Sequence, residues 1–133
     1  MRSTAREVVF KFLYSQLFNQ NDEGLFTLLK IDEKLSEKDG AFADELYAFV
    51  QKDIEEFNEF IKVNSVSFKL NRLFLADKCS IFIGMAELKN YPKTDLPIII
   101  DEAVKLSAKY STEKSTDFVN GILAKYAKEI NRG

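Results

Sequence analysis

The chain carries no histidine and one cysteine, Cys79. The commonest general base and the commonest metal ligand are therefore absent from its sequence. Cys79 has no histidine to activate it and lies at helical spacing with Leu75, Phe82 and Ala86, which reads as a core thiol. Acidic neighbours such as Glu55–Glu56 and Asp101–Glu102 point about 100° apart on a helix and do not converge on one site. The five glycines are scattered and build no phosphate-cradling loop. The expectation is a chain with no catalytic residue, no metal site and no cofactor, working through the partners it binds.

Binding chemistry is easier to find. Arg2 and Arg6 precede or open the first amphipathic stretch, and Lys11 follows on its polar side. Arginines beside the free N–H groups of a helix start are suited to phosphate, although two such arginines are also ordinary surface residues. The same stretch has two apolar stripes. Ala5, Val8, Val9, Phe12 and Leu13 form one, and Phe10, Tyr14, Leu17 and Phe18 the other. Two stripes require two burial surfaces: either two lobes of one domain, or a core and a docked partner.

These residues must be positioned by helices. Apolar spacing predicts helix almost throughout the 133 residues. Thr4 and Glu7 have the spacing of a capping box at the first helix. Residues 23–30 read as a short second helix and 33–39 as a charged loop. A single long helix fits 41–63, with Phe42, Leu46, Phe49, Val50, Ile54, Phe57 and Ile61 on one face. Another covers about 70–90 and is apolar on both sides, as a central helix must be. Pro97 suits the first turn of a helix over 97–110, and Ser111 and Thr112 are caps for a last helix to about Ile130. One all-α domain of about six or seven helices follows, in two lobes at about 1–66 and 67–133. The formal charge of −2 confines any nucleic-acid site to a local patch. No apolar run approaches the ~20 residues of a membrane span, the N-terminus is too interrupted for a signal peptide, and the lone cysteine does not suggest secretion. The cytoplasm is the expected location.

Two segments carry a resemblance. One is Ala5-Arg6-Glu7 followed by Leu13-Tyr14-Ser15 and Asn21-Asp22. The other runs from Asp101-Glu102-Ala103-Val104 through Lys109-Tyr110-Ser111 to Phe118-Val119-Asn120-Gly121-Ile122-Leu123, with Asp77-Lys78 and Glu87-Leu88 between. In this order and spacing the chain resembles the NusB transcription antitermination factors over its whole length, with 23–70 similar mainly in helical pattern. The resemblance implies an all-helical NusB-like fold of two subdomains without catalytic activity. It implies binding of single-stranded boxA RNA, above all of ribosomal RNA operons, jointly with ribosomal protein NusE. The resulting complex joins NusA, NusG and RNA polymerase.

Residue by residue, the resemblance makes Arg2, Ser3 and Arg6 the RNA-contacting N-terminus, Lys114 a further RNA contact, and Phe118 an exposed aromatic for base stacking. It puts Tyr14 and Asp77 in the NusE interface. Ser3 and Thr4 stand where the family is often more basic, Lys114 where it is often acidic, and Asp101 where asparagine is common. Asn120 and Gly121 are read as architectural, the glycine admitting a close helix. Two alternatives stay open. One is an RNA-targeting module like that heading some ribosomal RNA cytosine methyltransferases, although no methyltransferase motif follows here. The other is a helical adaptor that binds proteins or forms a homodimer without sequence-specific RNA binding.

Overall fold

The computed structural model describes residues 1–18, 23–65 and 75–132. Among them lie seven α-helices and one 3-10 turn, and no strand. The helices are α1 (Arg2–Gln16), α2 (Glu23–Asp32), α3 (Glu37–Lys52), α4 (Ile54–Asn64), α5 (Leu75–Asn90), α6 (Leu96–Tyr110) and α7 (Thr116–Glu129), with the 3-10 turn Glu113–Ser115 leading into α7. The all-α expectation holds.

The core is built around α5. From Ala76 to Leu88 every residue except Lys78 is buried, so the helix has no wet face and is enclosed by α1, α3, α6 and α7. One continuous apolar cluster runs from Val9 and Phe10 on α1 through Leu46 and Val50 on α3 to Leu123 and Tyr126 on α7. Cys79 belongs to it, and burial pushes its thiol up to about 12. At neutral pH it is therefore an uncharged core group. A lobe boundary at 66–67 and a helix start at 70 both fall outside the described residues.

Several boundaries differ from the sequence pattern. The helix expected over 41–63 is two helices, broken at Asp53 (φ −114°, ψ 20°). No glycine or proline marks the break. Its reason is tertiary: Lys89 of α5 lies 3.0 Å from Asp53 and 2.9 Å from Glu56, tying both helices down at the joint. Residues 33–39 are less of a loop than their charge suggests. Lys34 takes a left-handed φ of 52°, the Leu35 N–H closes on the Lys30 carbonyl, and Ser36 caps α3 by accepting from the Asp39 N–H at 3.1 Å. The Thr4–Glu7 capping box does not form, because α1 already starts at Arg2 with Met1 as its cap. Pro97 does sit in the first turn of α6.

The close helix approach assigned to Gly121 occurs at Gly84 instead. A methyl group on Gly84 would lie 2.7 and 2.8 Å from the two Leu123 methyls, whereas one on Gly121 meets nothing within 4 Å. Leu123 is fully buried, so its methyls can give way only by displacing their core neighbours. Gly84→Ala is therefore expected to lose stability, overpacking of about 1–3 kcal/mol exceeding the roughly 1 kcal/mol gain in helix propensity. Gly121→Ala is expected to gain up to about 1 kcal/mol. Urea denaturation of the two variants side by side measures the contrast.

Candidate functional site

The N-terminal turn of α1 is held from three sides. Arg6 is buried, and its Nε donates to Glu87 Oε2 at 2.7 Å while its Nη2 donates to Glu87 Oε1 at 2.8 Å. Glu102 of α6 adds a second carboxylate 3.7 Å from Nη1. Burial alone would favour the neutral guanidinium, but the hydrogen bonds and charge of Glu87, with Glu102 behind, raise its pKa. Ser3 donates to the other oxygen of Glu102 at 3.0 Å, and the N-terminal amine pairs with Asp39 of α3. Phe42 completes the cluster, with the guanidinium carbons of Arg2 and Arg6 at 4.5 and 5.5 Å from its ring centre. Within this group Arg2 is exposed, a cation already stacked on an aromatic face and open to an anion.

Arg6 is thus corrected. It was expected to touch phosphate, but the donors of its forked head that meet Glu87 are committed and it is 4% exposed. It is the positioning residue that fixes the turn carrying Arg2. Ser3 is likewise half-buried and turned to α6.

A second group stands at the start of α7. Lys114 is exposed on the 3-10 turn. Phe118 was expected to be an exposed platform; at 8% exposure its ring is part of the core, because the first turn of α7 faces inward. What remains accessible there is a hollow of about 120 Å³ lined by Phe118 with Asn64, Asp117, Gly121, Ile122 and Lys125. Gly121 belongs to this open wall rather than to a helix contact.

The second stripe of α1 divides between the two uses weighed for it. Phe10 is buried and stacks on Tyr110 of α6 at 4.7 Å, so it belongs to the core. Tyr14, Leu17 and Phe18 stay exposed, Phe18 by 53%. Tyr14 lines a groove of about 380 Å³ with Leu75, Ala76, Tyr110, Ser111 and Thr112. Asp77, expected in the same interface, is buried at 2% exposure and accepts from the Ser107 hydroxyl of α6. It braces the groove from behind and offers no free carboxylate at its surface.

Sequence reasoning missed Glu87, Glu102, Phe42 and Arg132 as structural partners. Glu87 had a signal: with Asp77 it is one of two carboxylates in a helix apolar on both sides, where a buried acid needs a hydrogen-bonding partner. Arg132 had none: it follows Asn131 at φ 60° and donates to the Leu88 carbonyl at 2.8 Å and to that of Thr94, closing the end of α5.

With this geometry in hand, comparison with known proteins is decisive, because residues 3–128 match the NusB family. The chain belongs to the NusB family. It is 31% identical over 98% of its length to the transcription antitermination protein NusB of Sorangium cellulosum, covering 94% of that protein. It is 34% identical, with the same coverage of both chains, to that of Carboxydothermus hydrogenoformans. Among solved structures, T. maritima NusB superposes with a TM-score of 0.86 at 27% identity, over 97% of this chain and 92% of that one. A NusB solved with NusE and double-stranded RNA superposes with a TM-score of 0.82 at 26% identity, over 96% of both chains.

Two outcomes follow from the charged network. Arg6→Ala leaves Glu87 buried without its partner and is expected to cost about 3–5 kcal/mol, while Arg6→Met combined with Glu87→Leu restores most of it; denaturant midpoints read both. Glu7 gives a pH signature. Burial opposes its ionisation, but hydrogen bonds from Tyr110 at 2.6 Å and Lys109 at 2.9 Å, and the charges of Lys109 and Lys11, hold its carboxyl below the usual range. The stabilisation is complete above the unfolded-state pKa and is lost as pH falls through the lower folded value. Glu7→Gln is expected to lower the melting temperature at pH 7, with the difference from wild type shrinking as acidification protonates the native carboxyl.

Proposed function

We propose that the chain is a transcription antitermination factor that binds single-stranded boxA-type RNA of nascent ribosomal RNA transcripts together with NusE. In this reading it acts in the cytoplasm with NusA, NusG and RNA polymerase, and not as an enzyme. The observation that carries it is the whole-length structural likeness to a NusB solved with NusE and RNA, joined to two surfaces of suitable chemistry on this chain. Arg2 and Lys114, both exposed, provide phosphate contacts, and the hollow beside Phe118 takes a base edge. Tyr14, Leu17, Phe18 and Leu75 supply an apolar face for NusE, each more than a third exposed in the isolated chain.

The commitment of Arg6 and Ser3 to internal partners supports a second reading. This is a helical adaptor that binds protein partners or self-associates, its RNA role reduced or supplied by the partner. With Arg6 committed at the start of α1, RNA affinity there is modest and its salt dependence shallow, log K falling by about 0.7 per phosphate contact for each tenfold rise in salt.

Titration of boxA and scrambled RNA strands, with and without NusE, separates the two. Antitermination predicts a boxA preference that rises with NusE. Arg2→Glu and Lys114→Glu should each weaken RNA binding and reduce the salt slope. Tyr14→Asp should remove the NusE enhancement without changing the circular dichroism spectrum. Unchanged RNA affinity in both charge reversals, with NusE binding intact, would establish the adaptor. Sedimentation of the free chain reads whether it is a homodimer.

A further inference from the structure

A groove of about 590 Å³ lies between α4 and α7, apart from the α1 surfaces. Its apolar lining is Phe60 and Val63 on one wall and Tyr126 and Ile130 on the other. Phe60 packs edge-on against Tyr126 at 5.1 Å, which gives the floor a rigid aromatic base. Val63 is 58% exposed, a β-branched apolar residue left in water beside a concave surface.

The rim is acidic. Glu56 is already used, accepting from the Tyr126 hydroxyl at 2.7 Å and from Lys89 at 2.9 Å. Glu59 on α4 and Glu129 on α7 are exposed, line opposite walls, and form no ion pair among the described residues. Lys125 is the one lining cation. It stands at the end shared with the Phe118 hollow, as does Asn64.

We infer that this groove docks an amphipathic, cationic helix of a partner protein. An apolar ridge on that helix covers Phe60, Val63 and Ile130, and basic residues on its two flanks meet Glu59 and Glu129. RNA does not fit, because two unpaired carboxylates repel its phosphates. In a second copy of this chain, two exposed apolar patches among the described residues have carboxylates beside them. Its exposed Ile98 lies between Asp95 and Asp101, and Lys30, beside the exposed Leu28 and Ile31, is held by Asp44 at 2.6 Å. Continuity with the Phe118 hollow through Asn64 and Lys125 places the docked helix next to the proposed RNA surface. The inference itself rests on the groove alone.

The probe is an amidated 14-residue helical peptide with leucines on one face and flanking arginines. Its control carries glutamates in place of the arginines. Fluorescence anisotropy against the full chain, with NMR shift mapping, should show saturable binding of the arginine peptide centred on Phe60, Val63 and Ile130, and none of the control. Reversing both rim charges, Glu59→Lys with Glu129→Lys, should weaken binding roughly tenfold, and Val63→Asp should weaken it independently. All three positions are exposed, so melting curves should match wild type. Failure of the arginine peptide to bind would overturn the inference. Equal affinity for the charge-reversed chain, or shifts centred on the Tyr14 groove, would do the same. Self-association abolished by Val63→Asp would assign the groove to a second copy instead.

Discussion

The buried pair between Arg6 and Glu87 is the constraint on which this molecule turns. Glu87 sits near the end of a helix with no wet face, where an unpaired carboxylate is costly. Arg6 satisfies it with two short, parallel hydrogen bonds, a geometry that fixes angle as well as distance. Once that fork closes, the rotation of α1 about its axis is set. Phe10 must face Tyr110, Arg2 must lie over Phe42, and Tyr14 must look outward. The charged pair contributes less through net energy than through the register it imposes on a stripe-on-both-sides helix that apolar packing alone would place ambiguously.

The exposed surfaces of this fold are therefore arranged around polar groups that are themselves turned inward. Arg6, Ser3 and Asp77 stand at positions where family resemblance suggested direct contacts, yet each is turned inward: to Glu87, to Glu102 and to Ser107 respectively. What they hold in place is exposed: the Arg2 cation and the Tyr14 groove. A substitution at one of the inward residues changes the shape of those surfaces, which is why stability must be read beside affinity at every such position.

The helices were legible because their stripes are long and their flanking chemistry is ordinary, as with Pro97 opening α6 and the apolar run of α5. The break at Asp53 was not legible, since no local residue demands it and the cause, Lys89, is 36 positions away. The site was legible in composition but not in orientation. A helical repeat identifies Phe118 as an aromatic near a helix start, but its side is set by how α7 meets the rest of the core. The same holds for the glycines. Gly84 and Gly121 look alike in sequence, and only the position of Leu123 tells the crowded one from the open one.

The two chain ends also report to a single place. Arg6 grips the Glu87 carboxylate from 81 residues upstream, and Arg132 holds the neighbouring Leu88 carbonyl from 44 residues downstream. On the ribosome this imposes a delay. At about 5–20 residues per second, the first helix waits roughly 4–16 seconds after its own synthesis before the residue that buries Arg6 exists. Through that interval the α5 part of the core that Val9, Phe10 and Leu13 share is missing, and only α2 and α3 have been made to pack on α1. The nascent chain is thus an apolar helix only half covered, and whatever shelters its open side in those seconds takes part in making the protein as surely as its own sequence does.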